Sequence, residues 1–148
     1  MSERHNRGFW LVVGSIGLAC VLLVAAILYN APMKETIGHA EATLRVAQAA
    51  AERIRDSKGS LGAADAARLA AADPSRTYRD AESASTGLDD VSIATGPTSW
   101  AAAVQARPGA CFYIHLTDIH LTDAGDVFYG VGTVCTGSVA MHATDPRW

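Results

Sequence analysis

The sequence has no basic face. Of its 12 Lys+Arg only Lys34 and Lys58 are lysines, and 15 acidic residues bring the net charge to −3. Residues 1–30 sum to +1 (Arg4 and Arg7 against Glu3), residues 31–87 to zero, and residues 88–148 to −4 (Arg107 and Arg147 against six Asp). A nucleic-acid binder clusters Lys and Arg to neutralise phosphates, so no direct nucleic-acid site is expected. Also missing are a CxxC pair, a Ser/His/Asp spacing, paired carboxylates in an apolar frame and a glycine-rich phosphate loop. No catalytic residue, cofactor or metal is assigned, and the chain is not expected to be an enzyme. Most telling, no charged side chain lies between Trp10 and Asn30. That gap excludes an ordinary soluble cytoplasmic enzyme. The length of 148 residues suits one folded domain beside it.

The uncharged run Trp10–Tyr29 is long enough, as a helix of ~1.5 Å per residue, to cross the ~30 Å of a bilayer core. In lipid its backbone groups must bond one another, which requires a helix. Trp10 and Tyr29 bracket it as interfacial anchors. Arg4, His5 and Arg7 precede it and only Lys34 closely follows, so the amino terminus is expected inside and the carboxy-terminal domain outside. A cleaved signal is disfavoured by bulky Tyr29 in Tyr29-Asn30-Ala31. A lipoprotein cut before Cys20 is disfavoured by Gly17, where a branched aliphatic belongs. The expected organisation is a leader-like segment (1–8), a transmembrane helix (9–31), an amphipathic extension (32–58) and an extracytoplasmic head (59–148).

Beyond Pro32, residues Ile37, Ala40, Leu44, Ala47, Ala51 and Ile54 recur at spacings of three and four, with charges on the opposite face. This predicts a helix whose small-residue seam packs closely on a neighbour, either the chain's own head or another subunit. Gly59 supplies its C-cap. Pro32 kinks such a helix without ending it, so Phe9 to Ser57 is expected to run ~70 Å as one rod.

Leu61–Asp73 reads as a second, short helix stopped by Pro74, and residues 75–90 as a polar surface connection. The period then changes to two. Val91–Thr95, an Ala-rich Trp100–Gln105, Cys111–Leu116 and Val127–Val131 read as strands, with Asp123–Asp126 turning the last hairpin. The expected fold is α+β: a long amino-terminal helix packed on a small antiparallel sheet. Alternation should bury one residue of each aromatic pair, Phe112/Tyr113 and Phe128/Tyr129, and expose the other.

Cys111 and Cys135 fall on opposite arms of that hairpin, and outside the cytoplasm they should form a disulfide. Closing a loop of roughly 25 residues is worth about 3 kcal/mol. Ile114–Asp118 is repeated at once as Ile119–Asp123. Two His and two Asp with Asp126 nearby invite Ca²⁺ or Zn²⁺, yet a shift of five along a strand reverses the face. A duplicated hairpin extension is the reading retained.

Arg7-Gly8-Phe9-Trp10-Leu11-Val12-Val13, at the head of the apolar run, resembles the prepilin cleavage signature. The stretch from Trp100 through Pro108-Gly109-Ala110-Cys111-Phe112-Tyr113-Ile114 to Cys135-Thr136-Gly137 is similar to the carboxy-terminal pattern of pilin-like proteins of Gram-positive bacteria. The resemblance to the type IV pilin and pseudopilin family covers nearly the whole chain. It implies a prepilin peptidase cut between Gly8 and Phe9, methylation of Phe9, and filament assembly through the amino-terminal helix. The implied partners are other pilin-like subunits, the peptidase, a membrane assembly platform and the lipid bilayer. The family's glutamate, which neutralises a neighbour's terminal amine, would fall at Val13. Its absence implies a minor or tip subunit, which has no neighbour above it to neutralise.

Two other readings compete. A single-span accessory subunit of a large respiratory or transport complex would keep Met1–Gly8 attached, and Val13 and Trp10 fit it. An anchored binding or enzymatic domain would need a pocket that no motif announces.

Overall fold

A computed structural model describes residues 20–21, 34–118 and 127–148. The chain divides into two compact units, Met1–Glu35 and Thr36–Trp148. Cys20 and Val21 are helical and exposed. The rest of the Trp10–Tyr29 run, Gly8, Phe9 and the Asp123–Asp126 turn lie outside the described residues. Among the described residues no helix is long and apolar enough to cross a membrane.

Helix α1 is described over residues 34–58. Its alanines favour helix, and they also leave room for close approach to a sheet. It stops at Gly59, whose φ of +80° is open to glycine at little cost, with the Gly59 N–H donating to the Arg55 carbonyl at 2.6 Å. Ala40, Leu44, Ala47 and Ala51 are fully buried, and so are Thr43 and Ala50; Ile37 and Ile54 are half-buried at the margins. The buried stripe is therefore wider than one heptad line, as expected of a helix lying on a sheet rather than on one partner helix.

Residues 61–73 do not form one helix. They split into a 3-10 turn, Leu61–Ala63, and helix α2, Ala66–Ala72. Two side chains cause the break. The Ser60 hydroxyl accepts the Gly62 N–H at 3.1 Å, and the Asp65 carboxylate accepts the Arg68 N–H at 2.9 Å, so each starts its own short element.

The sheet has five strands in sequence order: β1 Thr77–Arg79, β2 Asp90–Thr95, β3 Ser99–Arg107, β4 Ala110–Thr117 and β5 Val127–Gly132. The last four form an antiparallel meander, but β1 pairs parallel to β2 through Thr77↔Asp90 and Arg79↔Ser92. The sheet is thus mixed, not antiparallel, and the connection expected over 75–90 contains a strand. Three residues are too few to show a period of two. What places β1 is a tertiary bond, since Arg79 Nε donates to both Asp90 carboxylate oxygens at 2.6 and 2.7 Å.

One face of the sheet, carrying Val91, Ile93, Trp100, Ala102, Val104, Phe112, Ile114 and Leu116, packs with the α1 stripe into the main core. Fully buried Trp100 fills it, and its indole N–H donates to the Ala64 carbonyl at 3.1 Å. The second face is covered as well. Ala101, Ala103, Cys111 and Tyr113 meet Cys135, Ala140 and Ala143 from the carboxy-terminal segment, which includes the short helix α3, Gly137–Ala140. Phe112 and Tyr113 are consequently both buried, contrary to the one-in, one-out expectation, which assumed a bare second face.

Candidate functional site: a disulfide-closed face and a strapped edge

The second face is built from small residues of β3 with Tyr113 and Cys111 of β4. Cys111 and Cys135 are buried and joined by a disulfide, with Cα atoms 5.2 Å apart. The bridge fixes the segment that follows β5. There the Cys135 carbonyl accepts the Ser85 N–H at 2.8 Å, and the Gly137 N–H donates to the Ser92 hydroxyl at 2.8 Å. Gly137 comes so near β2 that an added Cβ would stand 2.5 Å from the Ala94 nitrogen and the Ile93 carbonyl carbon. Only glycine fits this approach.

Two carboxylates anchor the β1 edge of the sheet. Burial alone pushes the Asp90 carboxyl up, but bonds from Arg79 and from the Thr86 hydroxyl and N–H outweigh it and hold the group below its usual range. Asp73 is held at about 2, from an ordinary 3.8, first by the Ser75 hydroxyl and then by Arg76, the Ser75 N–H and Tyr78, against the cost of burial. Burial, and then the Asp73 charge, push the Tyr78 hydroxyl up. These groups are bonded to one another across α2, β1 and β2; their shifts record structural satisfaction.

The described half of the tandem repeat is similarly engaged. His115 is half-buried on the second face, its Nδ1 3.3 Å from the Ala143 carbonyl and its ring 5.9 Å from Phe128. The Asp118 carboxylate accepts the Leu61 N–H at 3.2 Å and lies 3.8 Å from Arg55. His120, Asp123 and Asp126 lie outside the described residues. Among the described residues no three His, Cys, Asp or Glu side chains are placed to hold a metal.

The outer edge is the part the sequence did not announce. After α3 the chain crosses β5 as a strap: the Tyr129 N–H donates to the Asp145 carbonyl at 2.7 Å, and the Asp145 N–H returns to the Tyr129 carbonyl at 3.1 Å. Trp148 then lies on the α1 side of the sheet, its ring 4.3 Å from Tyr129 and 6.4 Å from Phe112. Its indole N–H donates to the Tyr113 carbonyl at 3.0 Å, and the Arg45 guanidinium stands 5.4 Å from its centroid. A shallow groove of about 320 Å³ runs here between Glu41 and Arg45 of α1 and Pro146–Trp148. A second, of about 240 Å³, lies on the other side of the strap and includes Val131, Val139 and His142. No known family model, curated protein or solved structure matches the chain. The residues singled out from sequence therefore separate into three places. The α1 seam lies in the main core, Cys111 and Cys135 lie on the second face, and the Gly8–Phe9 junction lies outside the described residues. Asp145 and Trp148 were missed because one bridge and one indole leave no periodic trace.

Proposed function

We propose that this chain is a minor pilin or pseudopilin: a non-enzymatic structural subunit of a type IV pilus, a type II secretion-like pseudopilus or a DNA-uptake filament. One observation carries the reading. Directly after the uncharged 10–29 run, an alanine-rich helix lies along a small sheet whose carboxy-terminal half is closed by Cys111–Cys135. The Gly8-Phe9 junction ahead of that run supports processing by a prepilin peptidase, and Val13 supports a minor rather than an abundant subunit. On this reading the protein is anchored in the cytoplasmic membrane with its head outside. Its amino-terminal helix meets other pilin-like subunits, an assembly platform and the bilayer. The competing reading, a single-span accessory subunit of a respiratory or transport complex, shares the head but not the cut. Intact-mass and amino-terminal mass spectrometry on protein from its native membrane separates them. A terminus at Phe9, especially a methylated one, is expected; a retained Met1–Gly8 segment would transfer the chain to the accessory class.

A further inference from the structure

Strand β5 reads Val-Phe-Tyr-Gly-Val-Gly, with no charge and no proline, and it forms one border of the sheet. Such a border is a template for another extended segment unless it is blocked. Among the described residues the strap blocks it at one rung, Tyr129↔Asp145. Because the Tyr129 N–H and C=O point outward to Asp145, alternation sends those of Val131 outward too, and its side chain is 60% exposed. In the antiparallel register set by Tyr129↔Asp145, the residue that belongs opposite Val131 is Ala143. It cannot pair there, since its own N–H is held in the last turn of α3 by the Ala140 carbonyl at 3.0 Å. The tether that delivers the strap in cis thus prevents it from completing its own pairing, and the 240 Å³ groove marks the place left open.

We propose that the β5 edge is a strand-exchange site whose occupant is residues 143–148 of a second copy of this chain. That segment is the one already shown to fit: Asp145 on Tyr129, and three residues later an indole on Tyr129 and Phe112 beneath Arg45. Delivered to another copy, Ala143 leaves the last turn of its own α3 and pairs with Val131, exchanging its bonds to the Ala140 carbonyl and with His115 Nδ1 for two on the Val131 backbone. Met141 and His142, between the end of α3 and the exchanged segment, serve as the hinge, and reciprocal exchange gives a closed pair. This inference is independent of the pilin reading, because it uses only the head.

The test uses the full chain in detergent micelles, with Cys20→Ser as background. A Val131→Cys chain is mixed with an Ala143→Cys chain carrying a different tag, under mild oxidation. The expected product is a covalent pair between the two chains, in excess over either chain paired with itself. In sedimentation runs, Val131→Pro removes one outward donor without touching the β4 ladder. It is expected to weaken association about fivefold or more while leaving the thermal midpoint unchanged. A synthetic peptide of residues 141–148 is expected to dissociate the pair. The proposal is overturned if the chain stays monomeric at every concentration, or if it associates with no response to Val131→Pro and the peptide. Absence of the mixed cross-link would also overturn it.

Discussion

Gly137→Ala and Gly38→Ala add the same methyl group to the same head and should change its stability in opposite directions. At Gly137 the new carbon would stand 2.5 Å from two backbone atoms of β2. That stretch of β2 is paired with β3 and backed by the main core through Ile93, so it cannot retreat. Helix α3 must lift instead, which stretches the Gly137 N–H bond to Ser92 and strips the close packing around Ala140 and Cys135. Overpacking costs about 1–3 kcal/mol and a lost buried hydrogen bond about 1 more, so the change should destabilise by about 2–4 kcal/mol. Gly38 sits exposed in α1 with nothing within 4 Å of an added Cβ. There the methyl only removes backbone freedom from the unfolded chain and should stabilise by about 0.5–1 kcal/mol. Urea unfolding of the full chain in micelles, followed by the near-ultraviolet signal of the packed head, measures both. If Gly137→Ala unfolds within about 0.5 kcal/mol of the parent, the close approach of α3 to β2 is wrong.

Acid should weaken the head by a specific route. The folded Asp73 value, about 2, lies below the ordinary 3.8, so its bonds stabilise fully above pH 3.8 and are lost as pH falls through about 2. Asp73→Asn should flatten that limb of the stability profile without abolishing it, because Asp90 is shifted in the same direction; an unaltered limb would count against the assignment. Reducing Cys111–Cys135, or replacing both residues with serine, should lower stability by about 3 kcal/mol. A denaturant midpoint unchanged by reductant would show that the bridge constrains nothing.

Long-range order was readable wherever a pattern repeats. The α1 stripe and four strands follow from spacing, since each involves several residues obeying one rule, and the Cys111–Cys135 pairing follows from two cysteines flanking one hairpin. Single side chains decided what was not readable. Asp65 interrupts an alanine-rich stretch that otherwise favours one helix. Arg79 draws three nondescript residues into the sheet by finding Asp90, eleven positions away. The Ser85 hydroxyl, with bonds to the Asp90 carbonyl and from the Gln105 N–H at 2.8 Å, turns a polar loop into buried structure. None of these has a periodic signature, because each depends on a partner that only the fold brings near. The covering of the second face escaped for the same reason. Helix α3 has four residues, and its seat is fixed by a glycine whose value lies in what it lacks.

The bridge also has a mechanical consequence. When the head is pulled between α1 and the carboxy-terminal segment, tension reaching Cys135 crosses the covalent bond directly into Cys111 on β4. The chain between them, spanning 24 positions, is shunted out of the loaded path. At ~3.3–3.6 Å per extended residue this withholds about 80 Å of contour, and the β4–β5 hairpin cannot be unzipped from its outer edge. Once the strap and α3 beyond Cys135 have peeled away, further extension must come from the amino-terminal side of the sheet, where β1 is held by three parallel pairings.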